Sequence, residues 1–160
     1  MMERCDMNIK CADIKELELV TRITWETIKE IYPHYYPKGA VEFFLAHHSQ
    51  SQIEKDIQSG RVFLLYDDNH HAAGTVTVKN NEICRLFVLP DCQKRGFGKS
   101  LLDFAENLLS EQFTTIALDA SLPAKSIYLN RGYRITETHS IQTEHGDCLC
   151  YDVMEKDILK

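Results

Sequence analysis

Apolar positions change period several times along the chain, and each change marks an element. Leu17, Val20, Thr24, Ile28 and Ile31 recur at helical spacing behind Asp13 and Glu16, which make a capping-box-like start. That helix stops near Pro33, because proline cannot continue it. Ahead of it, Met7 to Cys11 reads as a short first strand. Behind it comes an aromatic, proline-punctuated loop, Tyr32-Pro33-His34-Tyr35-Tyr36-Pro37-Lys38-Gly39. Val41 to His48 predicts a second, short helix, and Ser51 with Glu54 caps a third that closes at Ser59-Gly60. Arg61 to Tyr66 and Ala72 to Lys79 are β-rich runs separated by a polar turn, Asp67 to His71. Later, Thr115 to Ala120 is an apolar strand, a helix starts at Ala124, and Tyr133 to Ile141 pairs with Cys148 to Glu155 through Glu144-His145-Gly146-Asp147. No repeat, linker or low-complexity segment interrupts this order, so residues 1–160 are expected to form a single α/β domain with a mixed sheet.

The stretch with the clearest internal logic runs from Glu82 to Leu109. Ile83 to Leu89 is aliphatic and aromatic, too short for most helices and poor in alternation, as a strand covered on both faces would be. Leu101, Leu102, Ala105, Leu108 and Leu109 then recur at helical spacing, with Asp103, Glu106 and Asn107 between them. The loop from Gln93 to Lys99 therefore sits at a helix N-terminus. Unpaired N–H groups and the positive end of the helix dipole favour an anion there, above all a phosphate. Gly96 and Gly98 remove side chains that would hold a ligand off the backbone, and Lys94, Arg95 and Lys99 add positive charge.

Spacing separates the loop types that could serve. A P-loop needs glycine where Gln93 stands, and a dinucleotide fingerprint needs a third glycine where Leu101 stands. Gln93-Lys94-Arg95-Gly96-Phe97-Gly98 instead resembles the Q/R-x-x-G-x-G/A loop of the GNAT superfamily, the acyl-CoA-dependent N-acyltransferases. A second segment, AKSIYLNRGY from Ala124, resembles that family's A-x-x-(aromatic or aliphatic)-Y-x-x-x-G-(F/Y) signature, and the two occur in the family's order. The likeness covers roughly Val62 to Lys156. It implies a mixed, mostly antiparallel sheet of about six to seven strands, flanked by about four helices, with a splay between the central strands.

Composition narrows the partners. A net charge of −6 argues against a general nucleic-acid or anionic-membrane binder and favours cationic substrates. No apolar run reaches membrane-spanning length and no signal-peptide core precedes the domain, so a cytoplasmic protein is expected. The six cysteines show no metal-ligand spacing, and Cys148 with Cys150 would share one face of a strand as a packing arrangement. Cys92 adjoins the basic loop, where a reactive low-pKa thiol is one reading. His70 and His71 read as part of a solvated turn, and no metal is expected.

The resemblance assigns the chemistry. Coenzyme A, as acetyl-CoA, would be held by Gln93, Lys94, Arg95, Gly96, Phe97, Gly98, Lys99 and Ser100, with the backbone near Phe87 and Val88 facing the pantetheine and thioester. Tyr128 matches the motif tyrosine often placed to protonate the coenzyme A thiolate. Glu82 stands where some relatives carry the glutamate that deprotonates the amine, directly or through water. Arg85 falls mid-strand, on the face opposite Glu82 together with Ile83 and Phe87. An arginine in a buried strand is normally paired, so an internal ion pair and a contact to an acidic group on the acceptor are both open. Ser121 replaces the asparagine many relatives carry and would cap the helix that follows. By analogy Tyr32, Tyr35, Tyr36, Phe43, His47 and His48 line the acceptor wall, although each also suits plain helix packing. The expected activity is direct acetyl transfer to a primary amine of a small molecule or peptide in a ternary complex, and a homodimer is compatible with the family. A non-catalytic acyl-CoA-binding module of the same fold is the competing reading, against which Tyr128 speaks. A nucleotide-binding P-loop relative is a weaker third.

Overall fold

The computed structural model describes residues 8–158; Cys5 and the expected strand start at Met7 lie outside them. Seven strands form one sheet in the order β1-β2-β3-β4-β5-β7-β6. They are β1 Ile9–Cys11, β2 Val62–Tyr66, β3 Ala72–Lys79, β4 Glu82–Val88, β5 Thr115–Ala120, β6 Arg134–Gln142 and β7 Cys148–Asp157. Every neighbouring pair is antiparallel except β4 with β5. Four helices of nine residues or more flank it, α1 Leu17–Ile31, α2 Lys38–His47, α3 Gln50–Gln58 and α4 Phe97–Ser110, and a six-residue helix α5 spans Lys125–Asn130. Among the described residues no helix is long and apolar enough to cross a membrane.

Two apolar clusters hold the layers together. On one face Leu101, Leu102, Ala105 and Leu109 of α4 pack with Ile83, Ile116, Leu118 and Met154 of the sheet. On the other, Val20, Ile23 and Ile28 of α1 and Ile53 and Ile57 of α3 pack with Val62, Leu64 and Phe87. Ile83 and Phe87 thus belong to opposite clusters, although four residues apart they would share a face in a regular strand. The register explains it. Thr77 pairs with Arg85 while Val78 pairs with Ile83, leaving Cys84 as the extra residue of a β-bulge. The bulge reverses the alternation, so Arg85 lies on the same side as Glu82 and not opposite it.

Several local signals are seen as expected, and others shift. The Asp13–Glu16 capping box is present, on a short 3₁₀ turn that leads into α1. α3 is capped by Ser49, whose hydroxyl accepts from the Gln52 N–H at 3.2 Å, and not by Ser51. α2 begins at Lys38, three residues before Val41, because a distant group completes its N-terminus. The Asp147 carboxylate, in the β6–β7 turn, accepts from the Gly39 N–H at 2.9 Å. The same turn places His145 Nε2 2.8 Å from Glu42 Oε1. Cys148 and Cys150 are exposed on either side of the buried Leu149, so they are not packed.

Candidate active site

β4 and β5 pair only at Glu82–Ala117 and Ile83–Leu118. From Cys84 to Val88 the central strand has no β5 partner, which opens a splay in the sheet. The Leu89 N–H donates to the Ala73 carbonyl at 2.9 Å, and bonded pairs recur every second residue of an antiparallel ladder. The Phe87 and Arg85 amides therefore serve β3, while the Leu86 and Val88 amides face the splay. The Val88 carbonyl, on the same side, accepts from Gln93 Nε2 at 3.0 Å and Thr27 Oγ1 at 3.3 Å. Phe87, read from sequence as an amide donor beside Val88, contributes its ring instead.

A cleft of about 630 Å³ runs along this splay. Its walls come from the C-terminal end of α1, from Leu86, Phe87 and Val88, from Gln93, Lys94, Phe97 and Gly98, and from Pro123, Ala124 and Ile127. Lys94 and Gly96 take positive φ of 65° and 85° to turn the loop into α4. The first intrahelical bond runs from the Ser100 N–H to the Gly96 carbonyl, so the Phe97, Gly98 and Lys99 amides have no acceptor within the helix. An added Cβ on Gly98 would stand 4.0 Å from Val88 Cγ2, so a longer side chain there would fill the cleft. Glycine at that point, basic residues and open amides together fit a pyrophosphate-bearing ligand. Arg95, Gly96, Lys99 and Ser100 stay outside the lining. Arg95 covers the Phe97 ring at 4.8 Å, Lys99 pairs with Asp103 at 2.9 Å, and Ser100 Oγ donates to the Gly96 carbonyl.

A second cavity of about 490 Å³ adjoins the first and shares Tyr32, Leu86, Phe87, Ser121 and Ala124 with it. Phe43, His47, His48, Glu82, Arg85 and Tyr128 also line it. Of the expected aromatic wall, Tyr35 lines only the first cleft, and Tyr36 is buried with its hydroxyl accepting from the Leu122 N–H at 2.7 Å. That bond fills the role foreseen for Ser121, which sits at the cap position without a side-chain cap bond.

Tyr128 is 7 % exposed and its ring lies 5.6 Å from that of Tyr133. Burial raises its pKa well above the phenol range, and among the described residues no hydrogen bond holds its hydroxyl. It is a neutral donor facing the cavity. Glu82 is half-buried, and desolvation, followed by the nearby negative charge of Asp119, raises its pKa against the opposing influence of Lys79. Arg85 is spent internally. Its guanidinium donates to Asp56 Oδ2 at 2.5 Å, Thr77 Oγ1 at 2.9 Å and His48 Nδ1 at 3.2 Å. Burial, then the Arg85 charge, pushes the His48 pKa down to about 3, so this histidine is a neutral acceptor. The Cys84 thiol at the bulge is pushed up to about 11, chiefly by burial. Cys92 packs against both apolar clusters. Asp56 and Asp119 escape a reading of the sequence, although each leaves a trace: a buried strand arginine demands a carboxylate, and Asp119 is an acid inside an otherwise apolar strand.

Comparison with known proteins decides the family. The model for the acetyltransferase (GNAT) domain matches residues 31–151. The chain belongs to the GNAT acetyltransferase family. Solved GNAT structures share its fold at low identity. The GCN5-related N-acetyltransferase described as aminotransferase, class-II from Rhodopseudomonas palustris is 20% identical with a TM-score of 0.83, over 94% of each chain. The PaiA N-acetyltransferase of Thermoplasma acidophilum, solved in complex with coenzyme A, is 20% identical with a TM-score of 0.71, over 93% of this chain and 97% of that one. The ribosomal-protein-S18-alanine N-acetyltransferase of Escherichia coli is 19% identical with a TM-score of 0.69, over 95% and 94%. In sequence, the UPF0157 protein YqkA of Bacillus subtilis (strain 168) is 33% identical over 91 residues, 52% of this chain and 26% of that protein. The chain thus spans about a quarter of the length of that relative.

Proposed function

We propose that this GNAT protein moves the acetyl group of acetyl-CoA directly to a primary amine of a small molecule or peptide, both substrates being bound at once. The observation that carries this reading is the shared wall: a cleft suited to a pyrophosphate and an apolar arm meets a second, carboxylate-bearing cavity at Leu86, Phe87, Ser121 and Ala124. Coenzyme A in the solved PaiA relative of the same fold supports the choice of donor.

Acetyl-CoA, when bound, supplies an acetyl group activated as a thioester. Gln93, Lys94, Phe97 and Gly98 surround its pyrophosphate, with the loop amides and the Lys94 charge as contacts, while Arg95 and Lys99 add positive charge from outside the lining. The Leu86 and Val88 N–H groups are the open donors available to a carbonyl oxygen that gains charge. Glu82 accepts the proton that a protonated amine must lose before it can attack, and its raised pKa brings it nearer the operating pH. Tyr128 donates its phenolic proton toward the leaving sulfur. Cys84 is held as a thiol and is a poor nucleophile in that state, which favours direct transfer over a covalent enzyme intermediate.

The test is thermal stability with and without acetyl-CoA, followed by thiol release across a panel of amines. A stabilising shift with release for one amine class is the expected result. A shift without release across the panel would favour a binding module, and no shift at millimolar acetyl-CoA would remove the loop from the reading.

A further inference from the structure

Three carboxylates line the cavity beside the splay, Asp56, Glu82 and Asp119. Asp56 is committed to Arg85. Glu82 pairs in the β3–β4 register with Lys79, whose charge it feels. Asp119 is different. The charged and titratable groups around it are His139 and Glu137 of β6, His47 of α2 and the neighbouring Glu82, with no lysine or arginine among them. His139 is itself bonded to Glu137 at 3.0 Å. Among the described residues Asp119 has no hydrogen-bond or ion-pair partner.

Its position makes that vacancy useful. Continuing the β4–β5 register past Ile83–Leu118 sets Asp119 beside Cys84, where the splay begins. Asp119 lies two residues, about 6.6 Å, further along β5 than the partner of Glu82, with its side chain on the same face as that partner. The two residues thus stand at nearby positions on adjacent strands, an offset on the scale of a short alkyl chain, and Phe43 and Tyr151 offer apolar wall between α2 and β7. Tyr128, 7 % exposed, lines the same cavity, and among the described residues its phenol has no hydrogen-bond partner. Asp119 and this phenol are the groups left for a ligand.

We propose that the cavity selects a dicationic acceptor, an amine whose second, non-reacting positive charge is held by Asp119. This deepens the acetyltransferase reading of the same site and rests on it. Asp119 is exposed at the cavity, so a monoamine fills the reacting position but leaves it unmatched, whereas a diamine matches both carboxylates.

The experiment compares diaminobutane with aminobutanol, which has the same chain but one charge fewer. Binding to the coenzyme A complex is measured by calorimetry near pH 8, where amines are protonated and ordinary imidazoles are neutral. The wild-type protein should prefer the diamine by at least about ten-fold, the scale of a hydrogen bond to a charged group. Asp119→Asn should bring that ratio toward one, and Asp119→Glu should keep a preference. A ratio near one in the wild type, an unchanged ratio in Asp119→Asn, or binding of neither amine would overturn the proposal. Thiol release from acetyl-CoA with the diamine is read separately. Preferential binding without release would sustain the second-charge site and remove the transferase reading.

Discussion

The Tyr128 ring is buried, and among the described residues its hydroxyl makes no hydrogen bond. Phenylalanine at this position keeps the packing and gives up no internal hydrogen bond. Tyr128→Phe should therefore unfold at the same denaturant concentration as the wild type or a higher one, while kcat falls much more than acetyl-CoA affinity. Loss of stability with wild-type turnover would return Tyr128 to a packing role. Glu82 makes a different prediction, because the base must be deprotonated to work. Its pKa is raised by burial and by the Asp119 charge, so the acidic limb of the pH–rate profile should lie above the ordinary glutamate range. Asp119→Asn removes the second cause and should move that limb to lower pH. Glu82→Gln should shift the profile toward alkaline pH, and a profile that stays put would point to water as the proton carrier.

The elements themselves were largely legible, because each carries its own period and punctuation: the α1 stripe, the α4 leucines and the strands β2, β3 and β5 lie where the apolar pattern puts them. What local sequence misses is supplied from afar. The start of α2 depends on Asp147, 108 positions later in the chain. Asp147→Ala should cost about 1 kcal/mol, the scale of a lost N-cap, in chemical denaturation. Gly39→Ala should also destabilise, since the new Cβ would fall 2.5 Å from Asp147 Oδ2. The bulge at Cys84 was invisible for a similar reason: pairing register is a property of two strands, and a run of apolar residues has the same composition with or without an extra member. The loop before α4 reads as an anion site from sequence because glycine and charge spacing are local. Gly98→Leu should weaken coenzyme A binding at least ten-fold by calorimetry, by placing a side chain in the cleft.

At the scale of the whole molecule, the Arg85–Asp56 pair fastens α3 to the central strand, and both side chains are less than a tenth exposed. Asp56→Asn leaves the Arg85 charge buried without its counter-ion and should cost about 3–5 kcal/mol, read from the unfolding midpoint. Arg131 ties α4 to the α5–β6 corner by bonding Asp103 and Glu106, and Tyr133 and Lys156 also bond Glu106. These bonds, with the one from Lys99 to Asp103, hold both carboxyl pKa values below their ordinary range despite burial. The stability they add is full above the unfolded values of about 4 and is lost as pH falls through the depressed folded ones, so acid titration should loosen this corner. The site was less legible than the fold. Tyr128 carries a motif position and Glu82 stands at a distance before the loop that some relatives use, but Asp56 and Asp119 gain meaning only when distant segments meet around a cavity.

The wall shared by the two cavities has a thermodynamic corollary. Because Leu86, Phe87, Ser121 and Ala124 belong to both, occupancy on one side alters the surface offered on the other. Such a linkage is reciprocal: whatever factor coenzyme A contributes to amine affinity, the amine returns to coenzyme A. An amine that scarcely binds the empty protein is then an ordinary outcome, and a dissociation constant for either ligand has meaning only with the concentration of the other beside it.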